Sequence, residues 1–463
     1  MESFHQEDCI CPLDSRYSAK IEKVREIFGP VEQKKVQVQI EFDYFVFLCD
    51  KLTFLSEVRE GEDFSDHFKD FKKKIETWNA DSCKDLYVIE KKIQHDVKAV
   101  EYFVRKELQS TCSRGGGYSY SIEQLTELVH FGLTSQDINS LTTSITIKKY
   151  NYYIREKIEA LSKAIGSTMD PNTPILSRTH GQPATPTTLH TSFLFFSDRL
   201  KRELTKLHAF VFLTKFGGAV GDMNAHNVGF AFKNWEIFLS DFVFDNYGVI
   251  RQDITKQTDP NDWLAEYLQI HVRINNILIG FCQDVWHYIS NGLICIKKNE
   301  DHVGSSTMPH KVNPILFENA EGNLQLANAN LNFVANKITI TRLQRDLTDS
   351  TVIRNLGMIF GYQCLALSNI EKGISEISYN EKIASEELEN HYEVLFEAIQ
   401  SIMRARLIEN SYDIVKKMSH GANGLSRIEF HRILDTAEGI PEDILIQFRS
   451  YKPGDYVRRR GAF

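Results

Sequence analysis

Residues 304–314 read Gly-Ser-Ser-Thr-Met-Pro-His-Lys-Val-Asn-Pro, and the rest of the chain is best interpreted outward from this stretch. Glycine and proline interrupt regular structure, so we expect a loop that leads into the helical pattern beginning at Ile315. Hydroxyl, imidazole, ammonium and amide groups are concentrated within this loop. Because loops held by a rigid scaffold often carry function, this density favours a site over a linker. A serine-rich turn before a capped helix remains the simpler interpretation for Gly304 to Ser306 taken alone.

The same stretch resembles the signature Gly-Ser-Ser-x-Met-Pro-x-Lys-x-Asn-Pro of the fumarase/aspartase superfamily of lyases. Every fixed position of that signature is present. His310 and Val312, on either side of Lys311, resemble the adenylosuccinate lyase branch. Fumarases and aspartases usually carry Gly before this Lys, and argininosuccinate lyases usually carry Gln. Leu316 departs from the Asp of many bacterial relatives, but that Asp is not one of the reacting groups.

Composition narrows the class of protein. The chain has 463 residues, of which 42% are hydrophobic, enough for a large core and for roughly two to four domains. Its net charge of -8 does not indicate a nucleic-acid-binding surface. Apolar runs are far shorter than the roughly 20 residues of a membrane span, and the acidic residues 1–8 do not resemble a signal peptide. The 8 cysteines show no zinc-binding spacing, so we predict a cytoplasmic protein with reduced thiols.

Long helices are predicted by the distribution of proline and of apolar residues. Proline is absent from residues 31–170 and 315–440. Apolar residues recur every three or four positions in three segments, 196–210, 274–289 and 324–338. Residues 36–44 alternate apolar and polar, as a strand would, but residues 45–48 are apolar throughout and equally suit a buried helix. The superfamily resemblance favours the helix.

The resemblance implies an all-α, three-domain fumarase/aspartase-like fold. It places an N-terminal helical domain at residues 1–120, a central bundle of long helices at 121–370 and a C-terminal helical domain at 371–463. The sequence itself shows only helices of suitable length in the central part. The three glycines at 115–117 are expected to form a surface excursion, because they do not favour regular structure.

Four further stretches match the superfamily, at residues 14–17, 94–102, 130–139 and 177–186. In the second, Gln94 replaces the Asn usual in the adenylosuccinate branch, which leaves a direct ligand contact at this position open. In the third, Thr134 and Ser135 suit a helix N-cap, and a helix N-terminus also binds anions well. In the fourth, His180 lies among glycine and prolines, so we expect it on rigid irregular backbone rather than in the core.

Two other stretches have competing interpretations. The glycines of residues 217–221 lack the Gly-x-x-x-x-Gly-Lys pattern of a nucleotide-triphosphate loop, so a tight turn between helices is favoured. Arg345 and Arg354 carry planar guanidinium groups that suit phosphate or carboxylate. A solvated helix face is the alternative interpretation, and it fits Arg342 better than these two.

The reaction implied by the resemblance is β-elimination of fumarate from adenylosuccinate, giving AMP, and from the succinylated carboxamide ribotide SAICAR, giving AICAR. Removing a proton beside a carboxylate builds negative charge, which fixed cations and hydrogen-bond donors must stabilise. The resemblance makes Ser305 the base and His180 the acid, and implies neither a metal nor a redox cofactor. The substrate-binding residues it implies are Arg16, Tyr17, Gln94, His95, Asp96, Thr134, Ser135, Gln257, Ser306, Lys311, Asn313, Asn319, Arg345, Ser350 and Arg354.

Two alternatives remain, namely another lyase of the superfamily, fumarase-like or argininosuccinate lyase-like, and a non-enzymatic protein that retains the fold. His310 and the arginine pair argue against the first alternative. The joint presence of Ser305, Lys311, Asn313 and His180 argues against the second.

The expected partners are a small nucleotide substrate and further copies of the chain, with no nucleic acid and no membrane. The resemblance implies a homotetramer whose active sites are each shared by three chains. A helix of about 30 residues is roughly 45 Å long, which separates motifs at its two ends. The apolar face of residues 324–338 is also expected to need a partner chain. Residues 291–309 are predicted to form a lid that closes over the substrate.

Overall fold

The computed structural model describes residues 9–52, 68–111, 121–231, 233–297, 308 and 311–457. Helices dominate this part of the chain. In chain order they are α1 (Glu22–Phe28), α2 (Pro30–Lys51), α3 (Lys69–Glu76), α4 (Lys84–Ile93), α5 (Asp96–Thr111), α6 (Ile122–Leu125), α7 (Ser135–Ser167), α8 (Leu189–His208), α9 (Asn224–Gly229), α10 (Trp235–Tyr247), α11 (Asp262–Ser290), α12 (Ile315–Ile338), α13 (Thr348–Ile353), α14 (Leu356–Glu376), α15 (Glu381–Glu389), α16 (Leu395–Ala405), α17 (Ser411–Ser419), α18 (Arg427–Asp435) and α19 (Glu442–Ser450).

Strands are short and pair into three two-stranded sheets within the described residues. The antiparallel pairs are β1 (Pro174–Thr179) with β2 (Gln182–Thr188), and β5 (Ile294–Ile296) with β6 (Ile377–Tyr379). The parallel pair is β3 (Leu213–Thr214) with β4 (Ile250–Arg251). The strands are therefore local additions to a helical protein.

The chain divides into two compact units. The described residues of Met1–Lys157, Leu204–Asn275 and Asn323–Leu365 form the first unit. Those of Ile158–Glu203, Asn276–Gly322 and Ala366–Phe463 form the second. Five long helices, α7, α8, α11, α12 and α14, contribute residues to both units. The three-domain division at residues 120 and 370 stays a prediction.

Residues 36–44, which alternate like a strand, lie within helix α2, so the helical interpretation is confirmed. The helix is buried on several sides, which explains why its apolar residues do not follow one helical stripe. Phe42 packs edge-on against Phe71 with ring centroids 5.3 Å apart, while Tyr44 packs against Phe242 at 5.2 Å. Helix α2 thereby forms much of the core of the first unit.

The predicted apolar faces are largely confirmed. Residues 196, 200, 204 and 207 are buried, but Phe210 lies beyond the end of α8 at His208. Residues 274, 277, 281 and 285 of α11 are buried, whereas Ile289 is half-buried.

The prediction that the face of residues 324–338 needs a partner chain is wrong. Leu324, Leu331 and Ile338 are all buried within a single copy, because other segments of the same chain already cover them. The large apolar side chains of α12 that remain exposed are Ile315, Leu326 and Phe333, none of which belongs to that face.

The C-terminal part of the second unit has a core of its own. Helices α16 to α19 enclose a cluster that includes Phe396, Phe430, Ile444 and Phe448. Helix α18 begins with a reciprocal capping box, in which Ser426 and Glu429 satisfy each other's backbone N–H groups. Among the described residues, none of the helices combines the length and the apolar character that a bilayer crossing requires.

Candidate active site

Helix α7 begins at the stretch that the sequence singled out as an N-cap. The backbone N–H of Thr134 donates to Asp137 Oδ2 at 2.7 Å, and the N–H of Asp137 donates to the carbonyl of Thr134 at 2.9 Å. Asp137 therefore fastens the first turn, and Ser135 is the first residue of a 33-residue helix. Such a helix start presents free N–H groups and a partial positive charge.

A buried ion pair holds this helix start in place. Lys215 Nζ lies 2.5 Å from Asp137 Oδ1, and both side chains are completely buried. The same ammonium donates to the carbonyl of Gly218 at 2.6 Å. Burial lowers the pKa of Lys215, and the nearby Asp137 carboxylate only partly offsets that effect. The sequence did not single out this pair, since isolated Asp and Lys residues carry no local signal.

The glycine-rich turn at residues 217–221 surrounds the same carboxylate. The backbone N–H of Gly217 donates to Asp137 Oδ1 at 2.7 Å, and that of Gly218 lies 3.2 Å from both carboxylate oxygens. Gly218 has a φ of +80°, and a Cβ there would come within 2.7 Å of the Gly132 carbonyl oxygen. The turn links β3 to α9 rather than two helices, and its N–H groups bind a carboxylate of the protein itself.

A pocket of about 850 Å³ in the first unit brings together residues from three separate stretches, 84–96, 135–139 and 345–354. Its cationic side chains, Lys84, Lys91, Arg345 and Arg354, outnumber its carboxylates, Glu90 and Asp96. The excess of positive charge suits an anionic ligand. The predicted site residues that line it are Gln94, His95, Asp96, Ser135, Arg345, Ser350 and Arg354.

Gln94 and His95 occupy the junction between α4 and α5. Gln94 ends α4 in the left-handed conformation, with φ 55° and ψ 35°, and its amide donates to the Lys91 carbonyl at 2.7 Å. Asn adopts this conformation more readily than most residues, so the Asn usual in the branch fits the same backbone. The backbone N–H of Lys98 donates to His95 Nδ1 at 3.1 Å. His95 thus caps α5, and its ring remains exposed.

The arginines of the pocket are oriented by polar partners. Arg345 Nη1 donates to Gln257 Oε1 at 3.0 Å, and Gln257 Nε2 donates to the Ala219 carbonyl at 2.8 Å. Gln257 therefore connects the glycine turn to Arg345. Arg354 Nη2 donates to Asp96 Oδ2 at 3.3 Å while its side chain remains largely exposed. Its guanidinium is accordingly accessible to a ligand.

Four predicted residues of the first unit, Arg16, Tyr17, Thr134 and Gln257, are not among the described residues that line this pocket. Thr134 directly precedes Ser135, which does line it. The Arg16 guanidinium lies 5.8 Å from the centroid of the Tyr17 ring, before helix α1. Their proposed role toward substrate rests on the resemblance.

His180 belongs to the second unit and lies in the two-residue turn of the β1–β2 hairpin. Thr179 pairs with Gln182, and both His180 and Gly181 have positive φ angles, 53° and 73°. Two positive φ angles are the requirement of a type I′ hairpin turn. The predicted irregular backbone is therefore a β-hairpin, although the exposed imidazole confirms that His180 is not a core residue. Arg178 forms an ion pair with Glu387, which anchors the hairpin.

The remaining predicted residues of the second unit flank the start of α12. Lys311 is exposed and Asn313 is half-buried in the segment before Ile315, which is neither helix nor strand. Asn319 Oδ1 accepts a hydrogen bond from Asn369 Nδ2 at 2.5 Å, which ties α12 to α14. Ser305 and Ser306 lie outside the described residues, as do residues 298–307 of the predicted lid and the glycines at 115–117.

Comparisons with known proteins identify the family of this chain. A family model described as lyase matches residues 15–327, and one described as adenylosuccinate lyase C-terminal matches residues 341–457. The adenylosuccinate lyase of Dictyostelium discoideum is 36% identical over 466 residues, covering 97% of this chain and 96% of that protein. The adenylosuccinate lyase of Escherichia coli K12 is 34% identical over 458 residues, with the same coverage. The chain belongs to the adenylosuccinate lyase family.

Solved structures confirm the fold expected of this family. A fumarate lyase from Mesorhizobium sp. BNC1 superposes with a TM-score of 0.73 at 16% identity, covering 94% of this chain and 95% of that one. A 3-carboxy-cis,cis-muconate lactonizing enzyme from Pseudomonas putida gives a TM-score of 0.70 at 16% identity, covering 95% of each chain. The all-α, fumarase-like fold is therefore confirmed.

A second ion pair that the sequence did not predict joins His130 to the buried carboxylate of Glu41. His130 Nδ1 lies 2.6 Å from Glu41 Oε1, and the Glu41 side chain is completely buried. Burial opposes protonation of His130, but the Glu41 carboxylate, together with the charges of Glu101 and Asp137, raises the pKa of the imidazole above 6.5. His130 lies within a stretch that matches the superfamily, but its partner Glu41 lies 89 residues earlier in the chain.

Proposed function

We propose that the protein eliminates fumarate from adenylosuccinate to give AMP, and from SAICAR to give AICAR. The observation that carries this proposal is the cationic pocket of the first unit, in which seven residues predicted for substrate binding meet. Membership of the adenylosuccinate lyase family over nearly the whole chain supports the same reaction.

The proposed phosphate site comprises Arg345, Ser350, Arg354 and the N-terminus of α7. Guanidinium groups bind phosphate through paired N–H donors, and a helix N-terminus adds backbone donors and a favourable dipole. Gln257 holds Arg345 in one orientation before substrate arrives. Such preorganisation reduces the entropy lost on binding. Arg16 and Tyr17 are proposed as further phosphate ligands.

The proposed elimination begins with removal of the proton beside a substrate carboxylate by Ser305. Lys311 and Asn313 are proposed to stabilise the negative charge that develops on that carboxylate. His180 is proposed to protonate the departing amine nitrogen. The exposure of His180 in a tight hairpin turn and of Lys311 before α12 leaves both polar groups accessible to a substrate.

We also propose a cytoplasmic homotetramer with active sites shared by three chains. In one copy, large apolar side chains remain exposed on the long helices, including Tyr152 of α7, Phe195 of α8, and Leu326 and Phe333 of α12. Contact with neighbouring copies would remove this apolar surface from water, which is favourable in proportion to its area.

The function is tested by incubating the protein with adenylosuccinate while its ultraviolet absorbance and the fumarate released are followed. Arg345→Met is expected to raise KM at least about tenfold, because a charge-assisted phosphate contact is lost. Arg342→Met is the matched control, since this nearby arginine is largely solvated and should leave KM unchanged. Release of fumarate from argininosuccinate, with none from adenylosuccinate, would refute the assignment.

A further inference from the structure

A second cavity of about 440 Å³ lies within the first unit, next to the proposed phosphate pocket. Helices α2, α4 and α7 supply much of its lining, together with the first turn of α11. The two spaces share six lining residues, Tyr87, Glu90, Asp96, Asn139, Ser350 and Arg354. Its volume is within the range of small-molecule sites, so its chemistry decides what it would bind.

Four polar side chains that line this cavity are at least nine-tenths buried and incompletely hydrogen-bonded. Gln37, Gln136, Thr142 and Trp263 are 7%, 4%, 3% and 5% exposed. Within the described residues, Gln37 Oε1, Gln136 Oε1, Thr142 Oγ1 and Trp263 Nε1 have no hydrogen-bond partner. Leaving a buried polar atom without a hydrogen bond is unfavourable, and most buried polar atoms in proteins are therefore paired. Their grouping around one cavity therefore points to an occupant.

The orientation of the two amides defines what this occupant must offer. Gln37 Nε2 donates to Asn139 Oδ1 at 2.9 Å, and Gln136 Nε2 donates to Asp349 Oδ2 at 3.3 Å. Each amide nitrogen is thus used within the protein, and each amide oxygen remains as an acceptor. The occupant must donate hydrogen bonds to these oxygens and accept one from the indole N–H of Trp263.

The charges around the cavity do not favour an anion. Among its described lining residues, both cations are already paired, Lys34 with Glu90 at 3.1 Å and Arg354 with Asp96 at 3.3 Å. Asp259 adds a buried carboxylate that accepts from Ser140 at 2.8 Å. This distinguishes the cavity from the neighbouring pocket, where cations are in excess.

Aromatic side chains complete the lining, namely Phe28, Tyr87 and Trp263. Flat apolar surfaces next to hydrogen-bond acceptors match a heteroaromatic ring that carries an amine. We propose that this cavity is a separate binding site for an uncharged, amine-bearing heteroaromatic molecule of the size of a nucleoside. The site does not depend on the lyase reaction, since its ligand needs neither a phosphate nor a succinyl group.

Titration calorimetry with adenosine on the full chain tests the proposal. We expect one adenosine bound per chain. Inosine carries a carbonyl in place of the exocyclic amine, so it should bind at least about tenfold more weakly to the amide oxygens. Equal binding of adenosine and inosine, or no binding of millimolar adenosine, would overturn the proposal.

Side-chain variants locate the binding. Thr142→Val and Gln37→Leu should each weaken adenosine binding about tenfold, because each removes an unpaired group that faces the ligand. Thr143→Val is the matched control for the first variant, since its hydroxyl already donates to the Asn139 carbonyl at 2.9 Å. Gln39→Leu is the control for the second, since the Gln39 amide donates to Asp43 on the same helix and does not line the cavity.

A third variant helps to distinguish the loss of a ligand contact from the loss of folding. Trp263→Phe keeps an aromatic ring and removes only the indole N–H donor, and it should also weaken adenosine binding. Unchanged binding in all three cavity variants would place adenosine elsewhere and refute the site. An equal loss of adenosine binding in the control variants Thr143→Val and Gln39→Leu would show that binding responds to any change in these helices and not to the groups that line the cavity. This outcome would also refute the proposed site.

Discussion

Replacing Lys215 by methionine tests how much the buried Lys215–Asp137 pair at the start of α7 contributes to stability. The substitution leaves the Asp137 carboxylate completely buried without its cation. Breaking a buried pair in this way costs about 3–5 kcal/mol. Asp137 keeps hydrogen bonds from the N–H groups of Gly217 and Thr134, both at 2.7 Å. Because these hydrogen bonds remain, we expect a loss at the lower end of that range, about 3 kcal/mol in the free energy of unfolding.

The measurement is urea unfolding followed by circular dichroism at one fixed protein concentration, with the midpoint and slope compared between variants. Asp137→Asn and the double variant complete a thermodynamic cycle. Because Lys215 and Asp137 are in contact, the loss of unfolding free energy in the double variant should differ from the sum of the losses in the two single variants by about 1 kcal/mol or more.

Lys149→Met is the matched control, since Lys149 pairs with Glu32 at 2.7 Å on the surface. Exposed pairs contribute less than about 1 kcal/mol, so this variant should remain close to the unmodified protein. A Lys215→Met protein as stable as the Lys149→Met protein would show that the buried pair does not fasten α7.

Ser305→Ala should abolish turnover while substrate binding stays nearly intact, because the hydroxyl acts mainly in the transition state; a near-normal kcat would remove Ser305 from the mechanism. Inactive His180→Ala and Ser305→Ala proteins, mixed and reassembled, should recover part of the activity; hybrids that stay inactive after verified subunit exchange would place both residues of a site on one chain. Since the folded-state pKa of His130 is raised above 6.5, its stabilisation by Glu41 is fully present below pH 6.5 and is lost as pH rises through the folded pKa. Glu41→Gln should therefore lower the urea midpoint more at pH 6 than at pH 9, and an equal effect at both pH values would contradict this. Limited proteolysis within residues 291–309 should be slowed by substrate, and equal cleavage rates with and without substrate would count against a lid.

The sequence by itself determined the helical class of the protein, and it supplied the residues that are proposed for the site. Helical periodicity is a local property, so the buried faces of α11 and α12 could be found without a structure. The arginines at 345 and 354 were identifiable because their residue types suit phosphate and their stretch resembles a known family. In α2 the local pattern alone left strand and helix open, because burial on several sides removes the single apolar stripe that periodicity detects.

Tertiary structure decided which of these residues meet. Lys215 pairs with Asp137 across 78 residues of sequence, Arg345 contacts Gln257 across 88, and Arg354 reaches Asp96 across 258. Such contacts depend on how the chain closes on itself, and no periodicity or local motif encodes them. The burial of Leu324 to Ile338 within one copy was likewise invisible in the sequence, because an apolar face shows that it needs a partner but does not show which segment provides it.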